Sequence, residues 1–187
     1  MKAAEIYSEA KNLIAMLPKD SLTKLLMQQA IDQLNSASRT VELLRAEMKR
    51  LAQRLPEYPV VMSFYGVGES LGPQLMAEIG DVMRFERRNS LTAFAGVDPG
   101  ANQSGTYEAK SNPASKHGSP ELRKTLFLVM DVLIKKAPPD DSVFCFMDKK
   151  RTEGKPYYVY MTAGANKFLR IYYGKVKESL TSFNTAK

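Results

Sequence analysis

The sequence predicts a mainly α fold: a long heptad coiled-coil helical hairpin followed by a compact all-helical domain containing a helix-hairpin-helix motif. Three observations predict it. Apolar residues recur every seven positions over residues 21–55; further apolar residues at helical spacing form segments punctuated by proline and glycine; and a Gly-x-Gly turn precedes an apolar helical stretch. Pro56-Glu57-Tyr58-Pro59 marks the boundary, which makes residues 1–56 the helical hairpin and coiled coil and 57–187 the globular part.

In the first helix Ile6, Ala10, Leu13, Met16 and Leu17 fall on one face, and Pro18 stops it. Asp20 or Ser21 then caps a second helix that reaches Leu55. Met27, Leu34, Val41, Met48 and Leu55 form one seam, and Ala30, Ala37, Leu44 and Leu51 a second, three residues on. A period of 3.5 keeps such a stripe facing a partner helix over a length of about 50 Å. The first helix is too short to cover it. A second copy of the chain is the expected partner, and an intramolecular hairpin packed on the following domain is the alternative.

Beyond the prolines, Phe64-Tyr65-Gly66-Val67-Gly68-Glu69-Ser70-Leu71-Gly72-Pro73 leads into a helix from about Pro73 with Leu75, Met76 and Ile79, which Gly80 ends. Glycines let a backbone turn tightly and approach a ligand, and N–H groups at a helix start point at an anion. The helix-hairpin-helix over residues 60–80 therefore predicts contact between DNA phosphate and Gly66 and Gly68, without sequence readout. Ser90 caps a short helix through Phe94 that Gly96 terminates. Residues 98–118 form a polar, turn-rich loop. Ser119 then caps a helix with Pro120 in its first turn and Leu122, Leu126, Val129, Met130 and Leu133 on its buried face.

After Pro138-Pro139, Asp140 or Ser142 caps a further helix through Val143, Phe144 and Met147. The final helix covers about 157–180, with Val159, Tyr160, Ala163, Phe168, Leu169, Ile171, Tyr172 and Val176 as its core. Cys145 stands alone among apolar neighbours, which reads as a buried, inert thiol.

The balance of 27 Lys and Arg against 20 Asp and Glu favours polyanionic partners. Six basic residues lie between Lys110 and Lys136, of which Lys110, Lys116, Arg123 and Lys124 are the candidate DNA ligands. His117, beside lysine and glycine, reads as a solvated loop residue. One cysteine permits no intrachain disulfide, and no eighteen-residue apolar run or signal-like N-terminus is present. A cytoplasmic protein without a membrane partner is expected.

Taken in order, Gly66-Val67-Gly68, Ile79-Gly80-Asp81, Arg84-Phe85, Ala95-Gly96-Val97-Asp98-Pro99, Gln103-Ser104-Gly105, Ser115-Lys116-His117-Gly118, Leu122-Arg123 and Glu153-Gly154-Lys155-Pro156 resemble the C-terminal domain of transposases of the insertion-sequence 110 type, the bridge recombinases. The resemblance covers residues 59–180, with the coiled coil similar in position. It implies a recombinase that cuts and rejoins DNA, with Ser104 attacking a phosphodiester to form a phosphoserine link. It further implies a structured bridge RNA as guide and a separate RuvC-like domain whose four carboxylates bind divalent metal (Mg). Nothing here resembles that domain, so the chain reads as part of a longer protein, inactive in isolation and without a cofactor of its own. Read without the resemblance, Ser104 is a turn residue between Asn102 and Gly105. A non-enzymatic, dimeric helix-hairpin-helix DNA-binding module is the alternative function; a structural coiled-coil adaptor is a third.

Overall fold

The computed structural model describes residues 3–12, 21–100, 103–104, 107–108 and 114–185. As the sequence predicts, it is mainly helical: α1 (Ala3–Ala10), α2 (Ser21–Ala52), α3 (Tyr58–Met62), α4 (Leu71–Ile79), α5 (Arg88–Ala95), α6 (Pro120–Lys136), α7 (Ser142–Thr152) and α8 (Tyr157–Thr185). A 3-10 turn at Val82–Arg84 follows α4, and β1 (Gln103–Ser104) pairs antiparallel with β2 (Tyr107–Glu108). The chain divides into two compact units, Met1–Leu44 and Arg45–Lys187.

Within the first unit α1 buries no residue. The seam positions Met27, Leu34, Val41 and Leu44 of α2 are all exposed, Leu34 by 67%. The heptad periodicity therefore forms one long helix as expected, but no intramolecular hairpin covers the stripe among the described residues.

In the second unit the core is built on α8, whose buried positions Met161, Ala165, Phe168, Leu169, Tyr172 and Val176 recur at helical spacing. α3, α5, α6 and α7 pack around it, and α4 packs on α6. Complete burial of a side chain such as Phe168 or Leu169 is worth about 1.5–3 kcal/mol. Phe64 packs against both Phe168 and Tyr172, with ring centroids 5.3 and 5.7 Å away. Gly164 brings α8 close to its neighbours: an added Cβ would meet Met147 Sδ at 2.6 Å and Met130 Sδ at 3.0 Å.

The buried face of α6 is the predicted one, from Leu122 to Leu133, and Ser119 Oγ accepts the Leu122 N–H at 3.2 Å. Elsewhere local details differ from the expectation. α5 begins at Arg88, with Ser90 inside it, because Arg87 supplies an extended N-cap without a side-chain bond. Asp141, between the two expected candidates, caps α7 by accepting from Val143 and Phe144 N–H. Val159 is 48% exposed, since three aromatic residues and a valine in succession at 157–160 cannot all point inward from a helix. Cys145 is exposed, on the side of α7 turned from Val143 and Met147, and its thiol donates to Pro139 O.

Candidate nucleic-acid interface

Two stretches separated by about twenty residues in the sequence interlock at the foot of the serine loop. Gly96, in the left-handed region with φ 65°, ends α5 and leaves the last helix carbonyls in need of donors. The second stretch supplies them. Ser119 N–H donates to Phe94 O at 2.7 Å, Lys116 N–H to Gly96 O at 3.2 Å and Arg123 Nη1 to Ala95 O at 3.1 Å. Ser115 closes the clasp through its N–H to Asp98 O at 2.8 Å and its hydroxyl to the Asp98 carboxylate, next to a backbone bridge between Pro99 and Ala114.

Such close approach needs glycine. A Cβ on Gly118 would overlap the Phe94 carbonyl oxygen, and one on Gly96 would meet Arg123 Nη1 at 2.6 Å. Lys116 itself holds φ 55°, a conformation few non-glycine residues adopt, with its side chain exposed.

Beyond the clasp, Ser104 opposes Tyr107 in the β1–β2 ladder. The Ser104 side chain and Lys110 lie outside the described residues. The expected polar loop thus includes a short antiparallel ladder.

Against the foot of this loop lies an open cleft of about 950 Å³ between α5, α7 and α8. Asn89, Lys116, Phe146, Tyr158, Asn166 and Arg170 contribute to its lining. Asn166 Nδ2 donates to Val97 O at 3.3 Å, which ties α8 to the loop base. Lys116 and Arg170 are exposed, and among the described residues neither forms an ion pair. The one acid in the lining, Asp98, accepts the Ser115 hydroxyl. The lining therefore carries net positive charge.

The predicted ligands divide by role. Gly66 has φ 78°, and a Cβ there would meet Val129 O at 2.8 Å, so its glycine is demanded by packing on α6. Gly68 is exposed with no atom within 4 Å of an added Cβ, and the α4 N-cap, Ser70, makes no side-chain cap bond. Glu69 beside it pairs with Lys49 at 2.8 Å. Lys124 is exposed at the start of α6, whereas Arg123 is half-buried and spends Nη1 on the end of α5, where a cation suits the helix dipole. Arg84 is structural in the same way: its guanidinium stacks 4.5 Å from Phe85 and 4.6 Å from Phe94 and donates to Ile79 O.

The cleft residues Asn89, Phe146, Tyr158 and Asn166 went unnoticed in the sequence. The available signal was the Tyr157-Tyr158-Val159-Tyr160 run, too uniformly apolar for one helix face. A second concavity of about 840 Å³, lined by Leu51, Leu55, Met76 and Leu180, is apolar and carries Glu57 and Asp81 against Arg54, which suits a polyanion poorly. No helix among the described residues is long and apolar enough to cross a membrane.

Residues 58–144, from α3 to the start of α7, match the sequence model of the Transposase IS116/IS110/IS902 family. Over that stretch the chain is similar to transposases of this family. The matched stretch contains both halves of the clasp and the serine loop between them.

Over 153 residues, 82% of its length, the chain is 22% identical to the "Insertion element IS110 uncharacterized 43.6 kDa protein" of Streptomyces coelicolor, of which it covers 37%. It is 28% identical over 114 residues, 61% of its length, to the pilin gene-inverting proteins of Moraxella bovis and Moraxella lacunata, of which it covers 35% each. The chain thus spans little more than a third of the curated relatives it matches.

Proposed function

We propose that this transposase domain holds a nucleic-acid backbone along the cleft beside the serine loop and presents Ser104 as the nucleophile of DNA strand exchange. The observation that supports the reading is the clasp, which joins Asp98-Pro99 to Ala114-Ser115 at the base of the loop that carries Ser104, beside a cation-lined cleft. Such a base positions a reacting hydroxyl far better than a free loop.

In this reading Ser104 Oγ attacks a phosphodiester phosphorus, the bond to the departing sugar oxygen breaks, and that oxygen takes up a proton. A hydroxyl end of another strand later attacks the phosphoserine and releases the serine. Lys116 and Arg170 hold backbone phosphates, and Lys124 and the open N-terminus of α4 at Gly68 extend the track as a helix-hairpin-helix does. Among the described residues no three His, Cys, Asp or Glu side chains come together as a metal site requires. Divalent magnesium belongs, in this reading, to a RuvC-like domain. Guide RNA and a second copy of the chain, paired through α2, complete the assembly.

The test replaces Ser104 by alanine in the domain joined to a RuvC-like partner domain and assays strand exchange with guide RNA. Loss of exchange by at least about a thousandfold is expected for a deleted nucleophile. Undiminished exchange with intact DNA binding leaves a non-enzymatic DNA-binding module.

A further inference from the structure

We propose that the cleft between α5, α7 and α8 receives an unstacked base of a single-stranded nucleic acid, with Tyr158 as its stacking platform. This rests on the nucleic-acid reading above and adds to it the state of the strand.

Three observations point there. Tyr158 is 72% exposed at the cleft, with its neighbour Tyr157 packed edge-on against it at 5.3 Å between centroids. A large aromatic side chain so exposed gains little from the core and is available to a planar ligand. Phe146 lines the same cleft, with Lys167 Nζ, which also donates to Ser142 O, at 4.9 Å and Lys150 Nζ, which also pairs with Glu153, at 5.9 Å from its ring centre. Cations near one aromatic ring, in a cleft that a second, exposed ring also lines, offer the combination of charge and π-face that single-strand grooves use.

The third observation is the polar inventory. Asn89 and Asn166 line the cleft; Asn166 spends its amide N–H on Val97 O and keeps its amide oxygen as an acceptor. Asparagine presents both donor and acceptor groups to a base edge. Lys116 and Arg170 supply phosphate contacts beside the rings.

Base-paired DNA does not use such a surface, because its base faces are covered by their neighbours in the stack. A base must leave the stack to lie on Tyr158, and single strands offer theirs at the lowest cost. The cleft volume, about 950 Å³, lies within the range of sites that enclose small planar ligands, about 300–1,000 Å³.

The test titrates the full chain at low salt with single-stranded DNA, single-stranded RNA and matched duplex DNA, each carrying one 2-aminopurine, whose fluorescence falls on stacking. Single strands should bind at least about tenfold tighter than duplex, with quenching; the DNA and RNA arms identify the preferred strand. Tyr158→Ala should lose roughly 5- to 150-fold in single-strand affinity, the span of one stacked base. Tyr158→Phe should retain both affinity and quenching, and circular dichroism should be unchanged in both variants. Equal binding of duplex and single strand, or a Tyr158→Ala variant that binds and quenches like the parent, overturns the stacking site while leaving nucleic-acid binding intact. Absence of binding to every probe overturns both readings, and points to a protein partner for the aromatic surface.

Discussion

Tyr172 is the largest fully enclosed side chain of the second unit, and burial, followed by the nearby Glu57 carboxylate, pushes its phenol far above the ordinary 10.0. In the unfolded chain that phenol ionises near pH 10, so above this pH the unfolded state binds fewer protons than the folded one. The stability it contributes is therefore intact below about pH 10 and falls as pH climbs toward the folded value. Urea titrations at pH 9 to 11 should show a loss approaching about 1.4 kcal/mol per pH unit from this residue, absent in Tyr172→Phe. The core position of Tyr172 was legible from helical spacing alone. Single polar residues were not. Arg84 and Arg123 carry the same charge as Lys116 and Arg170, yet the first two serve helix ends and aromatic rings while the second pair lines the cleft. Sequence supplies the cation; only tertiary packing determines its partner. Cys145 and Val159 misled for a related reason, since apolar neighbours in sequence occupy different sides of a helix.

Among the elements, legibility followed local chemistry. The start and buried face of α6 could be read because Ser119, Pro120 and the apolar spacing agree. The starts of α5 and α7 shifted where several polar residues competed for one cap. The link from the end of α5 to the start of α6 could not be read at all, because backbone bonds such as Ser119 N–H to Phe94 O leave no side-chain signature beyond their glycines. Those glycines make the clasp testable. In Gly118→Ala the new methyl meets backbone at Phe94 and Gly96, which cannot swing aside as a flexible side chain would. Urea unfolding should report a loss of about 1–3 kcal/mol, as for other overpacked sites. Gly68→Ala, facing open space, should change stability by less than about 0.5 kcal/mol. Equal stability of the two variants would mean that the clasp does not hold the loop.

At the scale of the whole molecule the unresolved demand is the apolar stripe on α2. Met27, Leu34, Val41 and Leu44 follow the heptad period and remain 45–67% exposed. A helix of 32 residues with an open stripe of this kind is marginal alone, and stable when the stripe is buried in a parallel or antiparallel coil. Each half-buried leucine or valine regains roughly 1 kcal/mol on pairing, so several seam positions acting together suffice for association at micromolar concentration. Sedimentation of the full chain should give a dimer. Leu34→Glu with Val41→Glu places two like charges in each copy's seam, and should return a monomer with reduced helicity while leaving the clasp and its urea transition in place. A parent chain that sediments as a monomer at tens of micromolar would remove the second copy from the assembly and require another polypeptide for that surface. In the proposed function such a coil would bring together the two DNA partners that strand exchange joins. A dimer brings two Ser104 loops and two clefts into one particle, whereas a monomer brings one of each.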